Sequence, residues 1–120
     1  MLFTGLAELR GVPLVVPTDP FFNAQSKQLA VRTLQLAIPA MFGTREAVAA
    51  GGLMSYGDSL TTSYHLAGVY AGRLLKGEKP ADLPVQQVTH IELVINMKTA
   101  KALGLTFPLT LLARADAVIE

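Results

Sequence analysis

Ser55, Asp58 and His65 lie close together in the chain and carry groups that could serve as nucleophile, orienting acid and general base. Their surroundings argue against that chemistry. His65 is predicted on the solvated face of a helix, and Ser55 lacks the Gly-x-Ser-x-Gly elbow that would raise a nucleophile out of a strand. Asp58 suits a helix cap better than a base. His65 and His90 are the only histidines, and neither has a carboxylate or second histidine at ligand spacing, so no metal site is expected. Gly51, Gly52 and Gly57 match neither a dinucleotide fingerprint nor a phosphate loop, and no other cofactor motif is present. The chain reads as a non-enzyme.

A second group of residues suits binding. Asp19, Phe21, Phe22 and Asn23 follow the first predicted strand, Phe42 and Thr44 the second, and Ser55 and Tyr56 the third. The phenylalanines and Tyr56 offer stacking surface, while Asp19, Asn23, Thr44 and Ser55 offer hydrogen bonds. Singly, each aromatic is ordinary packing. Together, at the carboxyl ends of three parallel strands, they make one wall for a small organic ligand.

The elements that position them follow from pattern and punctuation. Leu2 to Leu9 reads as a short helix, and Leu14-Val15-Val16 as a buried strand bounded by Pro13 and Pro17. Asn23 is the expected N-cap of a helix to Leu36, with Ser26, Leu29, Ala30, Thr33 and Leu36 inward. Val31 and Leu34 on its far side hint at another contact surface. A strand over Ile38 to Phe42 precedes a short helix from Arg45 to Ala50, with Thr44 as cap. Glycines 51, 52 and 57 bracket a strand containing Leu53 to Tyr56. Asp58 or Ser59 caps the longest helix, Leu60 to Lys76, which Gly77 stops. Its apolar positions call for burial over more than half its circumference. Val85 to Ile95 alternates as a strand, Asn96 caps a helix ending near Leu103, and one more turn covers Leu109 to Ala113 before a tail. The alternation predicts an α/β fold of three layers, with a mostly parallel sheet between helices.

The 120 residues suffice for a single domain, 1–120, and at 51% hydrophobic against 16% charged the chain is not a disordered one. Ten basic and nine acidic residues, net +1, are spread along it, so no nucleic-acid surface is expected. The absence of cysteine excludes disulfides and thiolate chemistry. No apolar run approaches the roughly 20 residues of a spanning helix. The opening Met1-Leu2-Phe3-Thr4-Gly5-Leu6 lacks the basic region and cleavage site of a secretory signal.

Several blocks in fixed order carry a resemblance. They are Asp19-Pro20-Phe21-Phe22-Asn23, Ala37-Ile38-Pro39-Ala40, and Gly51-Gly52-Leu53-Met54-Ser55-Tyr56-Gly57. Leu74-Leu75-Lys76-Gly77-Glu78-Lys79-Pro80 runs on through Ala81-Asp82-Leu83-Pro84-Val85-Gln86-Gln87. Glu92 to Leu105 and Leu111-Leu112-Ala113-Arg114-Ala115-Asp116 complete the set. The sequence resembles the C-terminal part of ABC-transporter substrate-binding proteins, the group with tryptophan- and tyrosine-binding members and the two-lobed type I periplasmic-binding fold. It departs from the pattern at Arg32, Val88, His90 and Phe107-Pro108-Leu109-Thr110.

The resemblance implies most of a ligand-binding second lobe, plus a helix near residues 60–76 that crosses the hinge, and a C-terminal tail. Family members run to about two and a half times this length, as two-domain chains do. It further implies capture of a small solute such as an amino acid, an ABC permease as partner and a periplasmic setting. Without a signal in these residues, the chain as expressed is expected in the cytoplasm. With one lobe, solute binding is expected to be weak. The competing expectation is an orphan fragment without transport activity that self-associates as a homodimer or larger through the helix from Leu60 to Lys76.

Overall fold

The computed structural model of the chain describes residues 5–9, 11–87 and 89–120. A five-stranded sheet runs in the order β1 (Leu14–Val16), β2 (Ala40–Phe42), β3 (Met54–Gly57), β4 (Glu92–Asn96) and β5 (Ala117–Ile119). Pairings β1–β2, β2–β3 and β4–β5 are parallel, and β3–β4 is antiparallel. The sheet is therefore mostly parallel and flanked by helices, as predicted.

Between β1 and β2 lie α1 (Pro20–Ala24) and α2 (Ser26–Gln35). The predicted single helix capped by Asn23 is thus two helices. Asp19 is the cap, its Oδ1 accepting from the Phe21 amide at 2.8 Å, because Pro20 fits the first helical position and brings no amide to satisfy. Gln25 breaks the run, and its amide bonds back to Phe22. The inward face of α2 is as expected, with Leu29, Ala30 and Thr33 buried, while Val31 on its far side is exposed. Ala37 then adopts φ +54°, a left-handed turn that drives Ile38 into the core.

Helix α3 (Arg45–Ala49) crosses from β2 to β3, packing on β2, β3, β4 and α2. Val48, Ile38, Val94 and Ile95 are almost completely buried. Gly52 is required, since a Cβ would lie 2.8 Å from the Phe42 ring and from the Ala47 carbonyl oxygen. After β4, α5 (Met97–Ala102) is capped by Asn96, which accepts from the Thr99 amide at 3.0 Å. The short α6 (Leu109–Leu112) leads to β5.

Other expectations need correction too. Leu14–Val16 is an edge strand with Val15 exposed, because only β2 flanks it. The predicted strand from Val85 is a strand only from Glu92; Val85 is 98% exposed, and residue 88 lies outside the described residues. The tail is a fifth strand, ordered by pairing with β4. Of the predicted first helix, Gly5–Leu9 forms a 3-10 turn with Leu6 buried, and residues 2–4 lie outside the described residues.

The chain leaves the sheet at Gly57, runs out through α4 (Leu60–Leu75) and returns at Glu92 in the opposite direction, which makes β4 antiparallel. Ser59 caps α4, its Oγ accepting from the Thr62 amide at 3.3 Å, and Gly77 takes φ +99° just past its end. The burial expected of this helix is not met: none of its residues is buried.

Candidate functional site

The register Val16–Phe42 and Phe42–Ser55 brings the carboxyl ends of β1, β2 and β3 to one edge of the sheet. That edge is tightly drawn. The Gly43 amide donates to the Val16 carbonyl at 3.0 Å, and the Thr18 hydroxyl donates to the Gly43 carbonyl at 3.3 Å. Gly57 lies against the same carbonyl, so closely that a Cβ there would collide with it. Three junctions therefore lie along this edge, after β1 at Asp19–Asn23, after β2 at Phe42–Thr44 and at the end of β3 at Ser55–Tyr56.

The side chains at those junctions divide into two groups. Phe21 is 54% exposed and meets the half-buried Phe22 edge to face, with centroids 5.6 Å apart. Phe22 also packs on the core, and Asn23 is half-buried. Tyr56 is 56% exposed at the tip of β3. Phe42, Thr44 and Ser55, in contrast, are buried. The Phe42 ring lies against Gly52 inside the core cluster, so its predicted place on the ligand wall gives way to packing. Alternation along the strand explains Ser55 and Tyr56: adjacent residues face opposite ways, and only Tyr56 faces out.

Ser55, Asp58 and His65 stand in three different surroundings. Asp58 accepts from the Ser63 hydroxyl at 3.2 Å, His65 is exposed on α4, and Ser55 is buried. Among the described residues no cluster of three or more metal-ligating side chains occurs.

Where β3 passes into α4, a cleft of about 330 Å³ opens between the first turns of the helix and Gln86, Gln87, Thr89 and His90. Asp58, Ser59, Ser63, Gln86 and His90 line it, with Leu66 as its apolar side. Gln86 and His90 fall within the stretch expected to be a strand, and the adjacent pair Gln86-Gln87 is the signal the sequence offers for them. His90 stands 3.9 Å from Asp116, whose other oxygen accepts from the Leu93 amide at 2.8 Å, tying the returning segment to β4 and β5. Arg45 and Glu92 pair at 3.3 Å beside the same edge. At the far end of α4, Arg73 holds Glu78 at 2.7 Å. That hydrogen bond keeps the Glu78 carboxyl below its ordinary range and raises the guanidinium of Arg73.

The profile of a family described as ABC transporter substrate binding protein matches residues 9–119. Among solved structures, the chain is similar to an ABC domain in complex with L-Trp from Streptococcus pneumoniae, at 27% identity and TM-score 0.85. That alignment covers 98% of this chain and 41% of the other. A conserved domain protein from Vibrio cholerae shares the fold at 24% identity and TM-score 0.85, over 98% of this chain and 40% of that one. The ligand-free, open structure of a substrate binding protein with adhesive properties from Clostridium difficile aligns at 24% identity and TM-score 0.63, again over 98% and 40%. The chain thus spans 40% to 41% of the length of the structures it matches. No curated protein matches it.

Proposed function

The chain belongs to the ABC transporter substrate binding protein family, and from that premise we propose that its sheet edge forms one wall of a site for a small organic solute, such as an amino acid. The observation that carries this reading is that three strand ends share one sheet edge, with Phe21 and Asp19 to Asn23 following β1, Tyr56 at the end of β3, and both aromatics exposed. The two aromatics provide stacking surface and the two polar residues hydrogen bonds, and the neighbouring cleft adds the carboxylate of Asp58 and the amide of Gln86. Residues 1–120 act as the equivalent of the family's second lobe, with α4 as the helix that crosses the hinge. The setting is extracytoplasmic, and the partner is an ABC permease. The chemistry is capture and release, without a covalent step.

One wall gives weak binding. A site closed on one side leaves much of the solute wet and pays the full cost of immobilising it, so affinity is millimolar rather than micromolar. Calorimetry with aromatic and branched-chain amino acids tests this. Millimolar binding lost in Tyr56→Ala supports it, and no binding up to saturation of the solute refutes it.

A second reading rests on α4, a helix with no buried residue. The 120-residue chain self-associates, a homodimer being the simplest form, and this requires no transport role. Each large side chain left wet forfeits roughly 1.5–3 kcal/mol of burial, a serious loss for a small domain.

A further inference from the structure

The cleft at the base of α4 carries an unbalanced charge. Asp58 lines it and is half-buried. Among the described residues, its carboxylate accepts from the neutral Ser63 hydroxyl at 3.2 Å and pairs with no lysine or arginine, and none lines the cleft. The basic group that does line it, His90, stands 3.9 Å from Asp116, which answers any charge it takes up. Arg45, beside the same sheet edge, is held by Glu92 at 3.3 Å. The site thus offers an anion without a cation, while the cations near it are already matched.

An ammonium group supplies what this arrangement lacks. A half-buried carboxylate has lost part of its hydration and recovers most from a charged donor. An ammonium brings three N–H groups, and the Gln86 amide and Ser63 hydroxyl oxygens line the same cleft as further acceptors. A solute carboxylate finds nothing comparable. The positive end of the α4 dipole is the attraction left for it, and Asp58 already stands there, one residue before the Ser59 cap.

Position joins the cleft to the aromatic wall. Asp58 follows Tyr56 by two residues, and the backbone is still extended at Ser59, with φ −82° and ψ 111°. Residues two apart on an extended chain share a side, with Cα atoms about 6–7 Å apart. A ring and an ammonium separated by two carbons can bridge that span. We infer that the cleft recognises the ammonium of the solute and is indifferent to its carboxylate, so that arylalkyl amines are ligands on equal terms with aromatic amino acids.

This inference rests on the solute-wall reading, and its test separates the two. Phenylalanine, phenethylamine and hydrocinnamate share one phenylethyl frame and differ only in their charged groups. In titrations of the 120-residue chain followed by NMR, the first two are expected to bind within about threefold of each other, and hydrocinnamate about tenfold or more weakly. Asp58→Asn keeps an oxygen for the Ser63 hydroxyl, so circular dichroism should be unchanged. It is expected to weaken phenylalanine and phenethylamine by about tenfold and to leave hydrocinnamate as it was. Hydrocinnamate binding as well as phenethylamine, phenylalanine binding about tenfold tighter than phenethylamine, or an amine indifferent to Asp58→Asn each overturns the inference. In those cases the wall still stands if Tyr56→Ala weakens the solutes that bind. Failure of all three solutes to bind overturns the wall and this inference with it.

Discussion

Gly57→Ala is expected to damage both the fold and the candidate site. A Cβ at position 57 collides with the Gly43 carbonyl oxygen, a backbone atom without rotamers to retreat into. Gly43 is itself fixed: its amide bonds to Val16, and Thr18 packs so tightly on it that there too a Cβ would clash. On its other side, Gly57 stands in register with Glu92 of β4. The ends of β2 and β3 must therefore separate to admit one methyl group. Overpacking of this kind costs about 1–3 kcal/mol, which at a urea slope of about 1–3 kcal/mol/M lowers the midpoint by roughly 1 M. Since φ at Gly57 is not positive, strain of the backbone adds nothing and the whole effect is steric. Urea unfolding followed by circular dichroism measures it. A midpoint unchanged within error would show that the strand ends are loosely packed and would refute the tight sheet edge.

Three further outcomes are expected. Asp19→Ala removes the acceptor of the Phe21 amide and should cost about 1 kcal/mol, with Asp19→Asn largely rescuing it; equal urea midpoints for all three proteins would exclude the cap. Phe21→Ala and Tyr56→Ala replace half-exposed rings, so stability should move by no more than about 0.5 kcal/mol while solute binding weakens; unchanged binding in both removes the aromatic wall. The Glu78 carboxyl should titrate below the ordinary value of about 4.3 and return to it in Arg73→Gln, as read by NMR. Because its pKa is depressed on folding, its small stabilisation is present above the unfolded value and fades as pH falls through the folded one. A titration at the ordinary value in the parent chain would dissolve that pair.

Residues whose role is local could be read from the sequence. Ser59 and Asn96 cap helices because a side-chain oxygen bonds an amide three residues ahead, and Gly77 ends α4 because φ +99° suits glycine. The three strand ends were legible for the same reason. What depends on neighbours was not. Ala117–Ile119 is too short to declare itself a strand and becomes one by pairing with β4. The alternation from Val85 to Ile91 imitates a strand, yet of the described residues Pro84 bonds to Tyr70 of α4, Gln86 and His90 line the cleft beside that helix, and the strand begins only at Glu92. Asn23 and Asp19 are equally good caps in isolation, and Pro20 decides between them. Within the candidate site, Phe42 and Ser55 stand in register and both are buried, a choice of face that a strand of three or four residues does not declare. The apolar positions of α4 predict burial, and none of its residues is buried.

The solute wall at this sheet edge is tested most directly by an NMR titration of the isotopically labelled chain with aromatic amino acids. Amide shifts are expected at Asp19 to Asn23 and at Tyr56 to Asp58, saturating together with one millimolar constant. Shifts confined to other parts of the molecule, or none at saturating solute, would contradict it.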